Sequence, residues 1–348
     1  MKILIVNDYG VLSGGAERVS LDLREGLRER GHDARLFAST AQPMRTELPN
    51  PADYTCFGTD AWPQRILQVA NPAAVIGLGR ALTAFRPDVV HVRMFLTQLS
   101  PFVLPLLERV PALLHVGNHQ TICPLNTRVL PDGSPCTFRP GLACRRQGCI
   151  PATGVVRTVV QQAAWRRWRG VFRLIVANSE ALGRSLRANG VDVGAVIRNG
   201  TRPASARPPL QGPPVIACAG RLVQRKGVDD LLRAMQLVIG RRPDARLLLL
   251  GDGPDRPRIK RLVAEYGLGD HVTLCGYVAR PGLDELLSTA WVQAAPSRYL
   301  EPFTNVVAEA MMRGTAVVAT GTGGTPEMVR DGVTGFLFAP GDAGAPAT

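Results

Sequence analysis

The stretch 296–335, PSRYLEPFTNVVAEAMMRGTAVVATGTGGTPEMVRDGVTG, constrains the fold more than any other part of the chain. It reads as loop, helix, strand, glycine turn and second helix. Pro302, a residue favoured in the first turn of a helix, follows Glu301. Val306, Val307, Ala310 and Met311 recur at helical spacing, which predicts a helix over 303–312 ended by Gly314. The β-branched run 315–320 reads as a short buried strand. Gly321, Gly323 and Gly324 then make a turn in which a backbone can lie close to a ligand. Glu301 therefore falls at a helix mouth and Glu309 two turns inside. A helix mouth offers unpaired N–H groups to anionic or hydroxyl-rich ligands, and carboxylates accept hydrogen bonds from sugar hydroxyls.

Elsewhere strands and helices alternate. Residues 2–6 read as a buried strand, followed by a loop with Gly14 and Gly15 and an amphipathic helix over 16–30. Strand, glycine loop and helix N-terminus make a phosphate-binding arrangement. GGAER lacks the dinucleotide spacing G-x-G-x-x-G, and a plain strand-to-helix turn is the alternative. Further strands are expected at 34–38, 89–92, 113–116, 174–177 and 196–200, helices at 78–85 and 155–172, and an N-cap at Ser179. Residues 41–64 read as Pro-rich and irregular, and His91 as a strand-end residue rather than a catalytic group. Five prolines in 201–214 mark an interdomain linker. Strands at 215–219, 247–253, 272–274 and 291–295 belong to a second α/β unit. Arg221 and Lys226 flank a loop leading into its first helix, where two cations can hold an anionic ligand such as a diphosphate. The expected organisation is a first domain over 1–200, the linker 201–214 and a second domain over 215–348. Both are α/β with parallel sheets, and two facing domains would give one cleft at the carboxyl ends of the strands.

Cys123, Cys136, Cys144 and Cys149 are separated by twelve, seven and four residues. Four thiolates in a loop-rich segment could hold a structural zinc, as a clasp rather than a catalyst. Buried small hydrophobes or a labile disulfide are the alternatives. The apolar run before Asn7 is too short for a signal peptide, and no run reaches the ~18 residues of a membrane span. A cytoplasmic chain with reduced thiols is expected.

The formal net charge is +13 and is unevenly placed: ten Arg, no Lys and only Glu180 among the acids lie between positions 139 and 187. An anionic partner is implied, namely donor phosphates, an acidic acceptor or an anionic membrane surface. With no accompanying motif, nucleic acid ranks last. Trp165, Arg166, Arg167, Trp168 and Arg169 form the pattern of a helix lying on an anionic membrane; alternatively both Trp pack inward and the Arg snorkel.

The ordered string Glu301, Glu309, Gly323–Gly324, Glu327 resembles the signature of family 4 retaining glycosyltransferases, which have the GT-B fold of two Rossmann-like domains. GRLVQRKGVDDLLRAM, RPDVVHVR, GNHQTICP and VIRNG resemble further parts of that family, and the likeness runs from residue 2 to about 340. It implies transfer of a sugar from a nucleotide-diphosphate sugar to an acceptor hydroxyl, glycan or lipid-linked, with no obligatory metal, in polysaccharide or glycolipid synthesis. An enzyme of the hexosyltransferase type, peripheral on the inner membrane face, is the expectation. Arg221 and Lys226 would stabilise the leaving diphosphate. Glu309 would bind ribose hydroxyls, and Glu301 with the backbone of Phe303 and Thr304 would hold the sugar. His119 would contact a donor hydroxyl, and Gly14 and Gly15 would face donor phosphates and acceptor. Residues 277–284 would face the base. No side chain is an evident nucleophile, so a donor phosphate oxygen would assist deprotonation of the acceptor. Gln120 stands where the family has Asp, and some members carry a similar Cys-bearing insertion, here about 120–150. The competing classes are a non-catalytic nucleotide-sugar-binding protein and a sugar-nucleotide epimerase on the same fold. Family members continue past 335–337 with helices, the last crossing back to the first domain. Here GDAGAPAT follows, so that helix is expected to be missing and the hinge looser.

Overall fold

Apolar strands alternate with amphipathic helices along the whole chain, and they assemble into two separate parallel sheets. A computed structural model describes residues 1–12, 14–42, 49–61, 64–203 and 207–344. The chain divides into one unit over Met1–Arg198 and a second over Asn199–Thr348. Parts of the stretches read as irregular (41–64), linker (201–214) and tail (341–348) lie outside the described residues.

In the first unit β1 (Lys2–Tyr9) is buried from Ile3 to Asp8, as a strand covered on both faces must be. Its alternate residues serve two cores. Leu4 and Val6 join Leu78, Phe85, Leu114, Trp165 and Leu182 on one face, while Ile3 and Ile5 join Leu36 and Ala38 on the other. After α1 (Gly15–Glu29) come β2 (Asp33–Ser39), β3 (Tyr54–Cys56) and α2 (Gln64–Leu67), then α3 (Pro72–Phe85) and β4 (Val89–Val92). Next are β5 (Ala112–Val116), α4 (Leu142–Arg146), α5 (Ala152–Trp168), β6 (Leu174–Ala177), α6 (Glu180–Ala188) and β7 (Ala195–Val196). The order β3-β2-β1-β4-β5-β6-β7 reverses between β1 and β4. In such sheets ligands bind beside that reversal, at the carboxyl ends of the strands.

Several boundaries differ from the sequence expectation. β3 lies in the stretch read as irregular, pairing Phe37 with Tyr54; three residues at a sheet edge carry too little periodicity to register. α3 starts at Pro72, where Asn71 accepts from Ala74 N at 3.1 Å and caps it, earlier than position 78. β7 is two residues rather than 196–200. Ser179 caps α6 as expected, accepting from Leu182 N at 3.1 Å.

The second unit contains β8 (Val215–Ala219), α7 (Val228–Arg241), β9 (Arg246–Leu250), α8 (Arg256–Glu265), β10 (Val272–Gly276) and α9 (Arg280–Ser288). It continues with β11 (Val292–Ala295), α10 (Asn305–Met312), β12 (Ala316–Thr320) and β13 (Phe336–Phe338). The order β10-β9-β8-β11-β12-β13 reverses between β8 and β11. Arg207, read as linker, donates to Ser288 O and Gly314 O, both at 3.2 Å, and to Ala290 O, so this segment is fastened to the second unit. Among the described residues no helix is long and apolar enough to cross a membrane.

Candidate active site

In the second unit the loops that follow β8 and β11 flank the sheet reversal. The β8 loop folds into a 3-10 turn at Gln224–Lys226, and Gly227, at φ +67°, passes the chain into α7. A Cβ on Gly227 would stand 2.0 Å from Pro296 O, so the two loops touch only because this position has no side chain. That contact delivers Lys226 to Glu301: the ammonium pairs with Oε1 of the carboxylate. Ser297 Oγ donates to the same oxygen at 2.6 Å, and Tyr299 OH to Oε2 at 2.7 Å. Glu301 is 5% exposed. Burial pushes its pKa up, but the Lys226 charge and the three hydrogen bonds outweigh this and hold the carboxyl below the usual range. Burial likewise pulls Lys226 down, and the Glu301 carboxylate overcomes it, so the ammonium is held charged.

Three of the roughly four acceptor sites of the Glu301 carboxylate are filled by the protein's own donors, only one of them at Oε2. Pro302 lies outside the helix, since α10 begins at Asn305. Its N-cap, Thr304, turns its hydroxyl to Thr325 Oγ1 at 2.8 Å rather than to its own helix. The N–H groups of Phe303 and Thr304 donate to no acceptor among the described residues. The glycine turn lies against Glu301 itself. Gly323 has φ +58°, a Cβ there would stand 2.1 Å from Glu301 O, and Gly324 N donates to that oxygen at 2.8 Å. The second helix expected after it is a single 3-10 turn, Thr325–Glu327. Glu309 is half-buried on α10, and Arg221, just beyond β8, is exposed with no side-chain partner among the described residues.

Sequence reasoning missed what anchors this loop. Arg298 bonds Asp230 at 2.6 Å through both Nε and Nη2 and Asp229 at 2.9 Å, clamping the β11 loop to the first turn of α7. Two acids in a first helical turn are favoured by the helix dipole, so the sequence explains them without a partner and hides the clamp.

In the first unit the loops after β1 and β4 meet at the other reversal. Asp8 is fully buried and accepts from the backbone of Thr97, Gln98 and Leu99 at 2.9, 2.7 and 3.0 Å. Burial raises its pKa, and these three bonds oppose the rise. Gly14 and Gly15 lie exposed at the start of α1. His119 is buried, its backbone N–H bonded to Asn126 Oδ1 at 2.6 Å. Gln120 donates from Nε2 to Thr97 Oγ1 at 2.7 Å, a bond that an ionised Asp, which only accepts, would have to make in the opposite sense. His91 lies inside β4, its ring stacked on His115 at 5.7 Å.

For the zinc reading, no three His, Cys, Asp or Glu side chains among the described residues are placed to hold a metal ion as they stand, while the thiols of Cys123, Cys136, Cys144 and Cys149 lie near enough to act on one another electrostatically. Cys123 and Cys144 are buried, and burial raises the Cys144 and Cys149 thiols rather than favouring thiolates. The guanidinium of Arg128 is buried beside this group of thiols. It lies 3.8 Å from Cys136 Sγ and donates to Phe138 O at 2.8 Å. The membrane-helix reading of the Trp/Arg run is corrected. Trp165 is buried between Phe95 and Phe172, at 5.8 and 6.2 Å, and half-buried Trp168 packs edge-on to Phe102 at 5.1 Å, so both rings are engaged with the first unit's core.

Two Rossmann-like parallel-sheet units, each with loops gathered beside its sheet reversal, define the GT-B class of protein. The chain belongs to the glycosyltransferases of that class: residues 14–200 match the family described as "Glycosyl transferase 4-like domain" and residues 204–347 that described as "Glycosyl transferases group 1". A GDP-mannose-dependent alpha-(1-6)-phosphatidylinositol monomannoside mannosyltransferase of Mycolicibacterium smegmatis is 36% identical over 130 residues, 36% of this chain and 34% of that one. The match thus spans about a third of the length of that curated relative. Among solved structures, sucrose-phosphate synthase from Thermosynechococcus elongatus superposes with TM-score 0.72 at 24% identity, over 99% of this chain and 87% of the other. Anabaena HepE in complex with UDP and glucose superposes with TM-score 0.68 at 23% identity, over 100% and 88%.

Proposed function

We propose that the protein transfers a sugar from a nucleotide-diphosphate sugar to an acceptor hydroxyl with retention of anomeric configuration. The observation that carries this reading is the pairing of half-buried Lys226 with buried Glu301, Arg221 lying in the same loop with no side-chain partner among the described residues, at the reversal of the second unit's sheet. A departing nucleotide diphosphate gathers negative charge. Lys226 gives one of its three N–H donors to Glu301, and two are left for diphosphate oxygens, together with the fork of Arg221. Glu301 acts as a positioning residue, fixing the ammonium. The free N–H groups of Phe303 and Thr304 complete an electropositive rim that would hold the sugar, and Glu309 takes the ribose hydroxyls. Tied to Lys226, Ser297 and Tyr299, the Glu301 carboxylate is a weakened nucleophile toward the anomeric carbon. This favours assistance by a donor phosphate oxygen on the same face of the sugar over a covalent intermediate. In this reading His119 contacts a donor hydroxyl, and Gly14 and Gly15, on the acceptor-side unit, face the donor phosphates and the acceptor. The acceptor is a hydroxyl of a glycan or a lipid-linked sugar, the setting that the name of the mannosyltransferase relative indicates for that protein. The basic face of the first unit suits work at an anionic membrane surface.

The test is a panel of nucleotide-diphosphate sugars incubated with and without simple glycoside acceptors. Acceptor-dependent nucleotide release, with the product anomer read by proton NMR, is expected to show retention. Release of an epimerised sugar nucleotide without acceptor, or an inverted product, refutes the reading.

A further inference from the structure

The first unit contains a cavity of about 170 Å³ that donor chemistry does not use. One wall is Thr121, two residues beyond His119. A second is the end of α5 with Trp165, Arg166 and Arg169, and a third is the turn after α6 that begins at Asn189. Arg139 reaches in from the Cys-bearing insertion. The ends of α5 and α6 lead into β6 and β7, so these walls adjoin the amino ends of the strands, whereas the loops described above follow carboxyl ends.

Three arginines line the cavity and no Asp or Glu does. None of the three is in an ion pair among the described residues, unlike neighbouring Arg187, which reaches Glu180 at 3.9 Å. The helix dipole favours cations in the last turn of α5. That accounts for Arg166 and Arg169 but not for the convergence of Arg139 on the same space. Two residues of the wall carry a buried side-chain oxygen, Thr121 Oγ1 and Asn189 Oδ1, with no hydrogen-bond partner among the described residues, and Thr121 is only 4% exposed. Asn189 already donates from Nδ2 to Ser185 O at 2.8 Å, so its free oxygen can only accept. Buried polar groups are left unmet only rarely. Cations arranged for an anion, next to an acceptor that needs a donor, describe a ligand with both an anionic and a hydroxyl end.

We propose that this cavity binds a hydroxyl-bearing phosphomonoester, such as a phosphorylated polyol or sugar. Its phosphate lies on Arg139, Arg166 and Arg169. One hydroxyl donates to Asn189 Oδ1, Thr121 Oγ1 bonds a second oxygen, and the Trp165 ring covers the carbon skeleton. The occupant is tied to His119 through a short path: Gln162 Nε2 donates to Thr121 O at 3.1 Å, and Ile122 N donates to His119 O at 2.9 Å.

The experiment is calorimetric titration of the full chain with sn-glycerol 3-phosphate, inorganic phosphate and glycerol; it requires no glycosyl transfer. Glycerol 3-phosphate is expected to bind at least tenfold more tightly than inorganic phosphate, and glycerol not to bind. The Arg166→Ala/Arg169→Ala variant, with an unchanged melting temperature, should weaken glycerol 3-phosphate at least tenfold. Thr121→Val should weaken it severalfold while leaving inorganic phosphate as it was. No binding, equal binding of the two phosphates, or undiminished binding by the double-arginine variant overturns the proposal. Vesicles of phosphatidylcholine containing phosphatidylinositol 4-phosphate then separate the sources. Displacement of glycerol 3-phosphate supports the site with a lipid headgroup as its ligand, and no displacement supports it with a soluble phosphate ester.

Discussion

Lys226 and Glu301 lie 75 positions apart and are meaningful only together. Glu301→Gln keeps the shape but leaves a half-buried ammonium uncompensated. Removing one partner of a fully buried pair costs about 3–5 kcal/mol, and Lys226 keeps 29% side-chain exposure, so a loss of about 2 kcal/mol is expected in urea melts at pH 7. The pH dependence has a definite sign. The carboxyl is held below its unfolded value, about 4.3 for Glu, so its contribution is complete above about pH 5 and is lost as the pH falls through the folded pKa. The gap between wild type and Glu301→Gln should close toward pH 3, and a gap constant from pH 7 to pH 3 would contradict the assigned charge state. Arg221→Ala and Lys226→Ala should each lower turnover by about 100-fold, the scale of a lost oxyanion-type donor, as read by nucleotide release. The sequence pattern singles out these residues, but it does not disclose that Lys226 holds Glu301. Nor does it show that Asp8 fixes the loop at 97–99, because such partnerships depend on which strands become neighbours.

At the scale of elements, the touching loops are the vulnerable parts. Gly323 has φ +58° and its missing Cβ would fall 2.1 Å from Glu301 O. Gly323→Ala must therefore displace the Glu301 backbone, and it should abolish turnover and lower the melting temperature, whereas Gly314→Ala, with open space around its Cβ, bears only the strain of φ +71°. Equal melting temperatures for the two variants would remove the close-approach argument. The paired strands β4 and β5 bring a second prediction. Burial, then Arg93, pulls the His115 pKa down to about 3, and His91 falls to about 3 for the same reasons. Both are neutral when folded, while the unfolded chain takes up protons below about pH 6.5. Stability should decline as the pH falls from 6.5 toward 5, and His115→Gln, which still donates to Ile197 O, should flatten that decline in pH-dependent melts. Element types were legible where apolar runs were long, as in β1 and β8. β3 and the true start of α10 were not: one is too short, and the other is delayed by a loop whose shape Glu301 and the glycine turn set together. The Trp165–Arg169 run has the composition of a membrane helix, and only the packing of Trp165 on Phe95 and Phe172 shows which face is inward.

On the scale of the whole molecule, each unit has buried hydrophobic cores of its own. Calorimetry should resolve two unfolding transitions. UDP or GDP at about 100 times its dissociation constant should stabilise the transition of the second unit by about 2.7 kcal/mol and leave that of the first in place. A single transition that moves as a whole would show the units to be thermodynamically one. The division into two α/β units was readable from the composition of the linker, but its position was not, because Pro-rich sequence says nothing about what Arg207 holds. Through its bonds to Ser288, Ala290 and Gly314, that arginine makes the stretch beginning at Asn199 a piece of the second unit. For anyone grafting the second half onto another scaffold to exchange sugar preference, the seam therefore belongs between Arg198 and Asn199. A splice at 214 would strip the transplanted half of a strap it carries with it.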